Sequence, residues 1–199
     1  CGCESVVAVM ALNYCGVKIS VECFIDDYLP QGNEPDVGDD GNLHADSPYD
    51  YFLGSPYSEM SYGCYSPVIV KAVNNALKDF KSNSNADVTE AEENAEATEA
   101  KPAVLKAYDV SSTSLEQLCK KYIDNDIPVI IWATIDMKPV ENEVSWILPD
   151  GKEFTWKSGE HSLLLVGYDE KNYYFNDQFY DRASNGRKMD RRKADLQKI

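Results

Sequence analysis

Residues 160 to 177 read EHSLLLVGYDEKNYYFND. The run SLLLVGYD reads as an apolar strand, NYYFND is a second strand, and Glu170-Lys171-Asn172 supplies the turn between them. The stretch therefore predicts an antiparallel hairpin with His161 at the mouth of one strand and Asp177 at the end of the other. Just upstream, WILPDGKEFTW (146 to 156) is a further hairpin around a Pro149-Asp150-Gly151 turn, and PVIIWATI (128 to 135) is a buried apolar run of strand length. VLKAYDV (104 to 110) also reads as a strand, followed by a capping box from Ser114 to Gln117 that opens a helix reaching Ile123.

The other end of the chain is helical. CESVVAVMALNY contains no Gly or Pro, places Val6, Met10 and Val17 at helical spacing, and predicts a helix from Cys3 that stops at Gly16. Ser20 is an N-cap for a short helix with Val21, Phe24, Ile25 and Tyr28 on one face, closed by Pro30. Ser66-Pro67 opens a third helix carrying Val68, Ala72, Ala76 and Phe80 at four-residue spacing. Residues 31 to 65 between them are rich in Gly, Pro, Asp, Asn and Tyr without a sustained period, and read as a long ordered surface loop. Helices first and sheet afterwards is an α+β order, with N-terminal helices packed on a C-terminal antiparallel sheet, and 199 residues fit one domain spanning 1–199.

Composition narrows the function classes. A formal net charge of -15 repels nucleic acid phosphates, so no nucleic acid partner is expected. No run of apolar residues is long enough to span a bilayer, so no membrane-spanning segment is expected in this chain. Residues 82 to 100 carry Asp87, Glu90, Glu92, Glu93, Glu96 and Glu99, no base and no large apolar side chain, and are read as a flexible acidic insertion that cannot build a core. The six cysteines, at 1, 3, 15, 23, 64 and 119, form neither a dense disulfide framework nor a CxxC pair. The disulfide state of Cys1, Cys15, Cys23, Cys64 and Cys119 stays open, and Cys1, Cys3, Cys15 and His44 lack metal-ligand spacing, so no metal and no cofactor is expected.

Two histidines leave a short choice for a Cys-His enzyme. His161 stands at a strand that would fix its imidazole, whereas His44 lies among Gly, Asn and Asp in the long loop. Cys3 opens a helix, where backbone N–H groups and the helix dipole favour the thiolate, and none of the other cysteines is so placed. Asp177 ends the strand beside that of His161 and is in position to reach the imidazole. Each residue taken alone has a plainer reading: a buried inert thiol at Cys3, a histidine satisfied at a strand edge, a turn-forming aspartate.

Together these stretches resemble the bacteriocin-leader-peptidase-like cysteine peptidases, whose fold is papain-like. The likeness rests on Gly-Cys-Glu at residues 2 to 4 leading into a helix that ends Leu12-Asn13-Tyr14, and on GSPYSEMSYGCYSPVI at 54 to 69. It continues through WILPDGKEFTW, EHSLLLVGYD at 160 to 169 and FND at 175 to 177, covering nearly all the chain except the acidic insertion and the last residues. The resemblance implies that Cys3, His161 and Asp177 are catalytic, acting on a peptide or protein substrate through a thioester. It also implies a bacterial, extracellular or cell-surface setting reached through an N-terminal signal or anchor, and an oxyanion-hole glutamine upstream of residue 1, the chain being read as N-terminally truncated. Gln178 and Cys1 depart from the family's usual proline and threonine without removing a reacting group. Two other readings remain. One is a catalytically inactive papain-like domain that binds partners through Tyr49, Tyr51, Tyr57, Tyr62 and Tyr65; the other takes Cys1 as the lipidated first residue of a lipoprotein.

Overall fold

The structure, a computed structural model, describes residues 2–58, 60–84, 104–135, 138–140, 142–178 and 187–190. Cys1 and the acidic insertion from residue 85 onward lie outside the described residues. Three helices come first: α1 (Cys3–Tyr14), α2 (Val21–Tyr28) and α3 (Ser66–Ser84). Gly16 ends the first at a φ of 86°, and the Ser20 hydroxyl caps the second by accepting the Cys23 N–H. Ser66 is the first residue of α3 instead of its cap, and its hydroxyl meets that of Ser111 at 3.0 Å.

The burial of α1 differs from the expected stripe. Val7, Ala8, Val9 and Leu12 are buried while Val6 and Met10 are only half-buried. The helix packs against α2 and α3 and against two strands of the sheet, so it is enclosed on most sides and has no single apolar face to read from spacing. On α3, Val68, Ala72 and Ala76 follow the expected row into the core, and Phe80 at its end is exposed.

The sheet after the helices has the order β10-β9-β8-β5, every pair antiparallel, from β5 (Val129–Thr134), β8 (Glu160–Tyr168), β9 (Asn172–Asn176) and β10 (Arg187–Asp190). It is covered on both faces. Ile130 and Trp132 pack onto the core of the first three helices, whereas Val129, Ala133, Leu163 and Leu165 join Leu118 and Cys119 of α4 (Leu115–Lys121) on the other side. That double cover is why β5 and β8 are written as continuous apolar runs. The capping box at Ser114 and Gln117 forms as expected, but α4 stops at Lys121 and a 3-10 turn (Ile123–Asn125) follows.

Residues 31 to 65 are more than a loop. They hold four two-residue strands, β1 (Gln31–Gly32), β2 (Asp36–Val37), β3 (Leu43–His44) and β4 (Phe52–Leu53). Two of these extend the hairpin of β6 (Glu143–Ile147) and β7 (Glu153–Lys157) into a second sheet of order β2-β3-β6-β7. Trp146, Phe154, Trp156, Tyr62 and Tyr65 form an aromatic cluster there, with Trp146 and Phe154 rings 4.9 Å apart. Strands of two residues carry no detectable alternation, and aromatic packing from the hairpin holds them.

The strand expected at 104 to 110 is absent; these residues run as extended chain beside α3. Asn74 of α3 takes both backbone groups of Ala107, accepting its N–H at 2.9 Å and donating to its carbonyl at 3.0 Å. A side-chain amide thus does the work of a neighbouring strand. Asn74→Ala should lower stability by about 1–3 kcal/mol, read from urea unfolding, because it leaves both groups of Ala107 without these partners.

Candidate active site

Cys3 is the first residue of α1, and Gly2 precedes it because the Pro56 carbonyl lies 2.8 Å from where a Cβ would stand. The segment 54 to 58 is thereby pressed onto the start of the helix. Helix geometry alone led to the expectation of a favoured thiolate at Cys3, and the structure corrects it. Burial and the neighbouring Glu4 carboxylate push the thiol up to about 11, with Ser162 beside the sulfur opposing them. The Cys3 Sγ–H donates to Glu4 Oε2 at 3.2 Å. Glu4 stands in the first turn of the same helix, and its charge opposes a second negative charge on the sulfur.

Glu4 is 6% exposed, an unusual burial for a carboxylate, and its Oε1 accepts the backbone N–H of Cys64 at 3.1 Å. Gly63, at a φ of 107°, is where a Cβ would run into that carboxylate. From the other side Trp132 Nε1 donates to the Cys64 carbonyl at 2.9 Å. One peptide segment is therefore clamped to α1 and to β5 at once, and it forms a wall of the cleft.

His161 lies in β8 and is 4% exposed, and Asp177, directly after β9, is 8% exposed. His161 Nε2 and Asp177 Oδ1 are 2.8 Å apart. The hairpin sets this meeting: Leu164 pairs with Asn176, so Asp177 leaves the ladder one step further toward His161. Its turn is fixed by Asp169, whose carboxylate accepts the N–H groups of Lys171 and Asn172.

Cys3 and His161 line the same cleft of ≈ 190 Å³, together with Glu4, Tyr62, Gly63, Trp132, Trp156, Glu160 and Ser162. The three residues singled out in the sequence are thus brought together, two on the cleft and the third bonded behind the imidazole. His44 is exposed, 3.0 Å from Asp40, and away from the residues lining the cleft. Among the described residues no group of three or more His, Cys, Asp or Glu side chains is arranged to hold a metal ion. Cys3, Cys15, Cys23, Cys64 and Cys119 are all free of disulfides, and no described helix is long and apolar enough to cross a membrane.

Glu4, Ser162 and Glu160 were not singled out from the sequence. A carboxylate in the first turn of an almost wholly apolar helix was the available signal for Glu4; Ser162 and Glu160 are marked only by adjacency to His161.

Cys3 at the head of an enclosed helix and His161 on an antiparallel sheet, the latter paired with Asp177, line one cleft of an α+β domain. The chain belongs to the Peptidase_C39 like family, whose model matches residues 1–198. It is similar in structure to a crystal structure of a "putative C39-like peptidase" from Bacillus anthracis, with a TM-score of 0.71, 22% identity, and 97% of this chain and 80% of that one covered. In sequence it is 32% identical over 87 residues to the uncharacterized protein YvpB of Bacillus subtilis (strain 168), a match that takes in 43% of this chain. The matched stretch spans about a third, 32%, of that relative's length.

Proposed function

We propose that this domain hydrolyses peptide bonds as a cysteine peptidase, with Cys3 as nucleophile, His161 as general base and Asp177 as the orienting carboxylate. The observation that carries this reading is the buried 2.8 Å His161–Asp177 pair on the wall of the cleft that Cys3 lines. With Nε2 directed at Asp177, Nδ1 is the nitrogen that receives the Cys3 proton. The thiolate then adds to the peptide carbonyl, and the backbone N–H of Cys3 helps to hold the oxyanion. Collapse expels the amine, which takes its proton from the imidazolium, and water activated by His161 opens the thioester. Asp177 holds the tautomer and stabilises the imidazolium without itself being protonated.

One observation favours a second reading, a binding module on the same scaffold: the thiol pushed up to about 11 and donating to Glu4. The two readings part on the pH dependence of Cys3 alkylation by iodoacetamide. A raised thiol pKa means little thiolate below it, roughly one part in 10⁴ at pH 7 if nothing else acts. An imidazolium at His161 offsets Glu4, so the peptidase reading expects stoichiometric labelling at pH 7. His161→Ala should then move the midpoint to higher pH, and Glu4→Gln, which removes the carboxylate beside the thiol, should move it down. Labelling of the unaltered protein that begins only near pH 11 would leave the binding module.

A further inference from the structure

The cleft holds a carboxylate that neither the triad nor the Cys64 clamp uses. Glu160 is the first residue of β8 and lines the cleft beside His161; its Oε2 is buried and has no hydrogen-bond partner among the described residues. The Tyr65 hydroxyl bears on the same carboxylate, and so does the charge of Lys157. Even so, burial pushes the Glu160 carboxyl up, and the nearby charge of Glu4 adds to the shift. A half-buried anion short of donors is costly to leave so, and a cation brought in by a ligand removes the cost.

We propose that Glu160 selects a cationic group on the peptide beside the scissile bond, so that the domain prefers Lys or Arg, or a free α-amine, at that position. The proposal rests on the peptidase reading for its site and adds the substrate class.

Three further observations support it. The described residues lining the cleft include two carboxylates, Glu4 and Glu160, and no Lys or Arg. Its walls carry the rings of Tyr62, Trp132 and Trp156, surfaces on which the alkyl stem of a long basic side chain lies and whose faces attract its charge. The chain as a whole carries -15, which draws basic peptides toward it and repels acidic ones. A neutral donor would answer Oε2 alone and leave the repulsion between Glu160 and Glu4 in place. A cation answers both.

The test separates recognition from catalysis by using Cys3→Ala, which cannot form the thioester. Peptide sets carrying Lys, Arg, norleucine or Glu at each position in turn, with free or acetylated N-termini, are titrated against it by calorimetry. At one position Lys or Arg should bind roughly 10- to 100-fold more tightly than norleucine, the size of a charge-assisted hydrogen bond, and Glu should bind more weakly still. If acetylation alone removes the preference, the α-amine is the recognised group; if it does not, the side chain is. In Glu160→Gln the Lys-to-norleucine ratio should fall toward one, and in Glu160→Lys it should invert in favour of Glu. Equal affinities for Lys and norleucine at every position, or no binding of any peptide, overturn the proposal. So does a preference that survives Glu160→Gln in a protein with an unchanged circular dichroism spectrum. A cation preference in binding, without hydrolysis by the unaltered protein, fells the peptidase reading and keeps the Glu160 site.

Discussion

Cys3→Ala should abolish the proposed peptide hydrolysis, lowering turnover on the order of 10⁴-fold or more, while the melting temperature should stay within about 2 °C of the parent's. The loss is that large because no other thiol is among the described residues lining the cleft. Cys64 is near in space but has no exposed surface, and Cys119 is buried on the far side of the sheet. The fold tolerates the change because the sulfur's hydrogen bond to Glu4 is local, and Glu4 keeps its bond to the Cys64 N–H. Steady-state kinetics on a peptide substrate and a thermal melt measure the two quantities. Turnover within tenfold of the parent would move the nucleophile elsewhere.

The second large effect is at Asp177. Asp177→Ala removes the carboxylate 2.8 Å from the buried His161 Nε2, so in the proposed mechanism the imidazolium loses its stabilising charge and the ring loses the bond that fixes its tautomer. A fall of ~10² to 10⁴ in kcat is expected, with KM changed far less. Asp177→Asn should be milder than Asp177→Ala, since an amide oxygen still accepts the Nε2–H even though it supplies no charge. The order Asp, then Asn, then Ala in kcat is the signature of an orienting role. Equal rates for all three would remove Asp177 from the machinery and leave its hydrogen bond as a purely structural one.

Much of this architecture is legible locally. The α1 boundaries, the Ser20 cap, the Ser114–Gln117 box and the β8–β9 hairpin each follow from signals within a few residues of one another. The His161–Asp177 pair is legible for the same reason, as one hairpin carries both. What fails depends on partners far along the chain. Residues 104 to 110 have a strand's composition, but the groups that satisfy Ala107 come from Asn74, 33 positions earlier, and no local pattern announces them. The short strands within 31 to 65 exist because the hairpin at 143 to 157 lies against them. The thiolate expectation at Cys3 failed one residue away: Glu4 is visible in the sequence, but its burial against Cys64 is set by a loop sixty residues later.

That loop also dictates the order in which the molecule is made. The Cys64 peptide is tied to Glu4 across 60 residues and to Trp132 across 68, and the last member of the proposed triad is Asp177. Ties of such separation form only after the intervening chain has closed, which costs entropy that local contacts do not repay. A nascent chain therefore carries its thiol from the first turn of helix onward without a cleft around it or a base beside it. The cleft is complete only late in folding, when both sheets are in place, so the proposed activity belongs to the fully folded molecule alone.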